Sequence, residues 1–100
     1  MNKKELVADV AARTGLAAGD VAGVVDAVLA SIQASVAGGE RVVLSGFGTF
    51  HRQARARRIA RDISAGGPIT VPARNVPAFR PGKPFREAVA RRRPRRRATG

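Results

Sequence analysis

Apolar residues recur at helical spacing over the first forty positions and at strand spacing over the next forty, so the chain divides near Gly38-Gly39. Leu6, Val10 and Ala11 mark one face of a helix that runs up to Thr14. Asn2 followed by Glu5 has the spacing of a capping box, with asparagine in place of serine or threonine, and Gly15 suits the stop. A second helix is predicted from about Ala18 to Asp20, where the aspartate favours a helix N-terminus. Its stripe is Val21, Val24, Val25, Val28, Leu29, Ile32 and Val36, and Gly38-Gly39 ends it. The two helices form a hairpin, but the second stripe is wider than one partner helix covers, and the excess reads as a subunit interface.

Arg41 to Leu44 is a short β-rich run, and Ser45-Gly46-Phe47-Gly48-Thr49-Phe50 turns it into a strand that feeds a basic excursion. The outgoing leg, Arg52 to Arg61, has no apolar face: alternation puts Gln53, Arg55, Arg57, Ile59 and Arg61 on one side and mostly alanine on the other. The turn formers Asp62-Ile63-Ser64-Ala65-Gly66-Gly67-Pro68 follow, and Ile69 to Val76 returns. Nine strand residues reach about 30 Å. A ribbon of that kind with no core beneath it is marginal in water, so a partner should complete it. After Phe79, Arg80 to Val89 opens a short helix with Pro84 in its first turn. Residues 91–100 hold six arginines around Pro94, cannot bury a core, and read as a disordered tail that adds a second electrostatic grip.

A chain of 100 residues that commits some twenty to an arm is too small to be well stabilised as a monomer. With no cysteine and a single histidine, His51, disulfides are excluded and a metal site is disfavoured, which leaves oligomerisation. The absence of cysteine fits the cytosol. No segment reads as a membrane span, because the uncharged run from Ala27 to Gly39 is too short, and Glu5 and Asp9 interrupt any signal peptide. The net charge of +12 is segregated: residues 1–40 carry three basic and five acidic groups, net −2, and residues 41–100 carry sixteen and two, net +14. Such segregation suits a nucleic-acid footprint or an anionic membrane surface; the helices are the less basic part, which argues against the membrane.

Candidate chemistry is sparse. The glycines at 46 and 48 lack the Gly-Lys-Ser/Thr of a nucleotide loop and read as tight-turn packing. Phe47, Phe50, Phe79 and Phe85, the only aromatics, read as core at the base of the arm rather than base-stacking platforms. His51 has basic neighbours and no carboxylate beside it in sequence, so neither a nucleophile nor a general base is apparent.

The opening Met1-Asn2-Lys3-Lys4-Glu5-Leu6-Val7, the GFGTF at Gly46 to Phe50, the arm from Arg55 to Gly66, and NVPAF at Asn75 to Phe79 followed by Gly82-Lys83 together resemble the bacterial histone-like HU proteins, relatives of integration host factor. The resemblance covers roughly residues 1–90. It implies an α+β fold, with a helical hairpin body, a small antiparallel sheet and a long protruding β-ribbon arm at about residues 53–75. It also implies an intertwined homodimer whose arms clasp the DNA minor groove. The residues it assigns to DNA are Lys3, Arg55, Arg58, Arg61, Arg74, Asn75, Arg80, Lys83 and Arg86. The reading of the arm adds Arg52 and Arg57, and Ile63 as an apolar wedge. At the arm tip, Arg61-Asp62-Ile63 stands where the family usually has arginine, asparagine and proline.

The expected function is a histone-like protein of the cytoplasmic nucleoid that bends, wraps and compacts double-stranded DNA with little sequence specificity. No catalysis, cofactor, metal, membrane or small-molecule substrate is expected. Two alternatives stay open: a sequence-specific architectural factor like integration host factor, and an RNA-binding protein.

Overall fold

The computed structural model describes residues 1–62 and 66–92, the side chains of 60–62 excepted. Helix α1 spans Lys3–Thr14 and α2 spans Ala18–Ala37. Strands β1 (Val42–Leu44), β2 (Gly48–Arg55), β3 (Arg58–Asp62), β4 (Gly67–Val71) and β5 (Arg74–Pro81) follow, and then helix α3 (Lys83–Ala90). Contacts divide the chain into two compact units, Met1–Ser35 and Val36–Gly100.

In the first unit the caps lie where the sequence puts them. The Asn2 side-chain oxygen accepts from the Glu5 N–H at 2.8 Å, and Gly15 closes α1 in the left-handed region at φ 75°, its N–H donating to Ala11 O at 2.9 Å. Val7 and Val21 are buried. Val36 is buried as well and Val25 and Ile32 are half-buried, but Val24, Val28 and Leu29 of the α2 stripe are 62%, 50% and 44% exposed. Full burial from full exposure contributes about 1.5–3 kcal/mol per side chain and about half of that remains to be gained at each, so this face is an unspent source of association energy. The sequence expectation of no membrane-length segment needs correcting, because α2 is long and apolar enough to cross a bilayer by length and composition. The uncharged run is short, but Asp20 and Asp26 do not interrupt the helix. Asp26 lies near its middle and is ion-paired to Lys3 at 2.7 Å; an aspartate at that depth costs about 2.5–3.5 kcal/mol in hydrocarbon.

In the second unit a three-stranded antiparallel sheet has the order β1-β2-β5, and β3 and β4 form a separate two-stranded ladder. Gly46 makes the turn into β2 at φ 80°. Gly48 is required for a different reason: a Cβ there would lie 2.5 Å from the Phe79 ring and 2.7 Å from Arg80 O. The four phenylalanines gather around that point. Phe50 and Phe79 are cross-strand partners with ring centroids 4.7 Å apart, and Phe47 stacks on Phe85 of α3 at 5.2 Å. Each such pair contributes about 0.5–1.5 kcal/mol beyond its buried area. Phe47, Phe79 and Phe85 nevertheless remain partly exposed, so the cluster is half a core.

The outgoing leg is not the single strand expected from alternation. Pairing runs from Gly48 opposite Pro81 to Arg55 opposite Arg74, stops for two residues on each side, and resumes with Arg58 opposite Val71. No residue is inserted or deleted across the gap, yet the hydrogen-bonding phase changes. Proline lacks an N–H, so in a two-stranded ladder it can occupy only a non-hydrogen-bonded pair. Pro81 and Pro77 fix that phase in the inner ladder, and the Gly82 N–H donating to Phe47 O at 2.8 Å brackets the Gly48–Pro81 pair as the geometry requires. Pro68, opposite Arg61, fixes the opposite phase in the outer ladder. Arg58, and not Arg57, therefore takes up the hydrogen-bonded positions that Gln53 and Arg55 hold further in. The proposed stripe of Gln53, Arg55, Arg57, Ile59 and Arg61 on one face is thereby overturned. Ala56-Arg57 and Pro72-Ala73 form an elbow.

Replacing Gly48 by alanine should destabilise the protein by on the order of 2 kcal/mol, because the Phe79 ring and the Arg80 backbone carbonyl would both have to move. A lowered urea midpoint with an unchanged slope checks this; an unchanged midpoint would mean that the turn yields freely.

Candidate nucleic-acid interface

The elbow gathers arginines. A cleft of about 620 Å³ is lined by Arg55, Ala56, Arg57, Arg58, Val71, Pro72, Arg74, Val76 and Pro77. Its floor is apolar, with Val71 and Val76 half-buried, and its rim is four exposed guanidinium side chains. No carboxylate lines it, and none of the ion pairs among the described residues involves these arginines. Arg55 and Arg74 face one another directly across the last rung of the inner ladder. Like charges in that position cost roughly 0.2–1 kcal/mol, a cost that an anion seated between them removes. The residues drawn together from the sequence list are thus Arg55, Arg57, Arg58 and Arg74.

The other candidates are placed differently. Asn75 is the cross-strand partner of Ala54, one rung inward, and Arg80 pairs with Thr49 near the aromatic cluster. Arg61 belongs to β3 opposite Pro68, and its side chain is outside what the structure describes. Ile63 lies outside the described residues, as does the tail from residue 93. Lys83 opens α3 and comes within 3.9 Å of Glu87, an exposed i,i+4 pair of little energetic weight, while Arg86 is exposed on the same helix.

Two assignments change character. Arg52 turns back toward α2, its Nη1 donating to Ala37 O at 3.3 Å, and a Cβ on Gly39 would meet its guanidinium at 3.2 Å. It neutralises the carbonyl end of α2 and so acts as a helix cap before it acts as a ligand group. Lys3 is held at 2.7 Å from Asp26, which offsets its charge. Sequence reasoning missed both. Gly38-Gly39 after a helix with no basic residue in its last turn was the available signal for a cap supplied from elsewhere. The isolated Asp26 in an apolar helix was the signal for an ion pair, although spacing alone does not name its partner.

Residues 1–90 match the family described as bacterial DNA-binding protein. The DNA-binding protein HU of Streptococcus thermophilus is 47% identical over 88 residues, 88% of this chain and 97% of that protein. DNA-binding protein HRL53 of Rhizobium leguminosarum is 45% identical over 89 residues, 89% of this chain and 98% of that protein. Among solved structures, HU in the Anabaena HU–DNA cocrystal superposes with a TM-score of 0.87 at 39% identity, covering 92% of this chain and all of that one. HU from Thermotoga maritima gives a TM-score of 0.63 at 32% identity, with 89% and 98% covered. With this architecture and with relatives of this identity along nearly their whole length, the chain belongs to the HU family of bacterial DNA-binding proteins.

Proposed function

We propose that this chain is a histone-like architectural protein of the nucleoid, acting as a homodimer that binds, bends and compacts double-stranded DNA without strong sequence preference and without performing chemistry on it. The observation that carries the reading is the elbow: four guanidiniums on a two-stranded ribbon, two of them in direct cross-strand repulsion, without a carboxylate beside them. Such a ribbon reads charge and shape, since arginines on strands reach phosphates and minor-groove walls. The uncovered valines and leucine of α2 and the half-covered phenylalanines support the dimer, because the partner subunit supplies what a single chain lacks. The name of the HU–DNA cocrystal supports the ligand.

Within this reading Arg55, Arg57, Arg58 and Arg74 engage phosphate from the elbow, with Arg61 and Asn75 beside them in the ladders. Arg80, Lys83 and Arg86 extend the footprint, and residues 91–100 add a second, sequence-independent grip. Ile63, the only large apolar residue between Asp62 and Pro68, is the wedge for a base step, and the neighbouring charge of Asp62 opposes its approach to phosphate.

Three measurements test this. Affinity for a linear duplex should fall by roughly 10³ to 10⁵ between 50 and 200 mM salt if about six to ten phosphates are engaged, and a nearly flat dependence would remove the phosphate reading. Arg55→Ala should reduce that slope by about one, whereas Arg52→Ala should lower the melting temperature and leave the slope alone. The reverse pattern would return Arg52 to the interface. Ile63→Ala, in a protein that remains a folded dimer, should reduce the preference for nicked over linear duplex together with the bend; survival of both would make Ile63 a turn residue only.

A further inference from the structure

The elbow cleft has a shape that extended duplex binding does not require. A ribbon that tracks a backbone needs guanidiniums spread along its length, because duplex DNA presents its charge as a line, one per about 1.7 Å of axis. Here Arg55, Arg57, Arg58 and Arg74 converge on one concavity of about 620 Å³. The concavity is open to solvent, and a single backbone phosphate fills only a fraction of it. Ala56, Arg57 and Ala73 also carry N–H groups outside either ladder, so the elbow adds backbone donors to its cations. The half-buried Val71 and Val76 add apolar surface to the same lining. A compact chain of linked phosphates, with several negative charges within a few ångströms, can engage all four cations at once.

We infer that the elbow cleft is a discrete binding site for free linear polyphosphate, of the kind found in inorganic tripolyphosphate, and that its occupation competes with nucleic acid at the arm. The competition rests on the DNA reading above; the binding itself does not. An anion lodged between Arg55 and Arg74 relieves their cross-strand repulsion and occupies the cations that duplex phosphates need. The same chemistry offers two sources, soluble polyphosphate and the phosphodiester backbone, and the two differ in charge density.

The test is calorimetric titration of the full-length protein with sodium tripolyphosphate and, separately, with inorganic phosphate, at constant ionic strength set by KCl. Wild type is compared with Arg57→Gln/Arg58→Gln and with the charge-matched control Arg13→Gln/Arg41→Gln, all verified as folded by circular dichroism. The expected result is saturable binding of one tripolyphosphate per chain, at least tenfold weaker in the cleft variant, within twofold of wild type in the control, and at least tenfold tighter than inorganic phosphate. In a parallel gel shift, tripolyphosphate should displace duplex DNA from wild type near its own dissociation constant, where KCl of equal ionic strength does not. Equal losses in the two variants, several tripolyphosphates bound per chain, or parity with inorganic phosphate would overturn the inference, since each describes a diffuse cationic surface. DNA binding without saturable tripolyphosphate binding overturns the inference and leaves the DNA reading in place; tripolyphosphate binding without DNA binding does the converse.

Discussion

The geometry of the arm depends on one joint at its base, where the Gly82 N–H donates to the Phe47 carbonyl at 2.8 Å and Phe50 faces Phe79 across β2 and β5. Register in an antiparallel ribbon is specified wherever one face is buried and drifts where neither is. The outer part of this arm buries almost nothing, so it cannot specify its own pairing. The aromatic cluster does so from below: with Gly48 admitting the Phe79 ring, only one pairing of β2 with β5 is possible, and that pairing carries outward to Arg55 opposite Arg74. A one-residue slip at the base would exchange the two faces of the inner ribbon and take Arg55 away from Arg74. The placement of cations at the elbow is therefore decided by carbon packing several residues away.

The helices were legible in the sequence because their determinants are local. Asn2, Gly15 and Gly38-Gly39 act on backbone groups within a few residues of themselves, and the valine spacing needs only helical periodicity. The aromatic base reads as a core in the sequence, and the four phenylalanines do gather, but Phe47, Phe79 and Phe85 stay partly exposed, so that expectation holds only for the clustering. What alternation did not reveal is the elbow. Counting strand residues assumes that the hydrogen-bonding phase persists, and it persists only while each proline falls on an outward position. Pro77 and Pro81 are separated by an even number of positions and share one phase, whereas Pro68 is an odd number from both. That parity stands in the sequence, but it has meaning only once the register is known. The intramolecular partners of Arg52 and Lys3 were not legible for a related reason: a basic residue on an arm or at a helix start looks free until the carbonyl or carboxylate beside it is located in the fold.

Charge and burial are deficient in complementary ways. The apolar deficit lies in α2 and around the phenylalanines, where side chains stay exposed; the polar deficit lies at the elbow, where no ion pair among the described residues engages the arginines. A second protein chain satisfies the first and an anion the second. Neither substitutes for the other, because covering Val24, Val28 and Leu29 needs apolar area and cancelling the repulsion of Arg55 and Arg74 needs negative charge. The exposed ion pairs, Lys3–Asp26, Arg13–Asp9 and Lys83–Glu87, do little to change this balance, since pairs of this kind contribute about 0–1 kcal/mol.

This separation lets a chain of 100 residues carry an arm that gives little stability back. If the arm had to be ordered by its own contacts, each residue would need to recover about 1–2 kcal/mol of backbone entropy, and a ribbon this rich in alanine and arginine offers little apolar area with which to do it. Dimerisation stabilises the body independently of the arm, so the arm is free to remain underdetermined until an anion arrives. The two-residue break at Ala56-Arg57 and Pro72-Ala73 fits that division: it removes ladder hydrogen bonds where rigidity has no structural benefit, away from the joint that sets the register. Filling the break with a continuous ladder would stiffen the arm, but it would also restore the alternation of faces and disperse the four arginines that the break draws together.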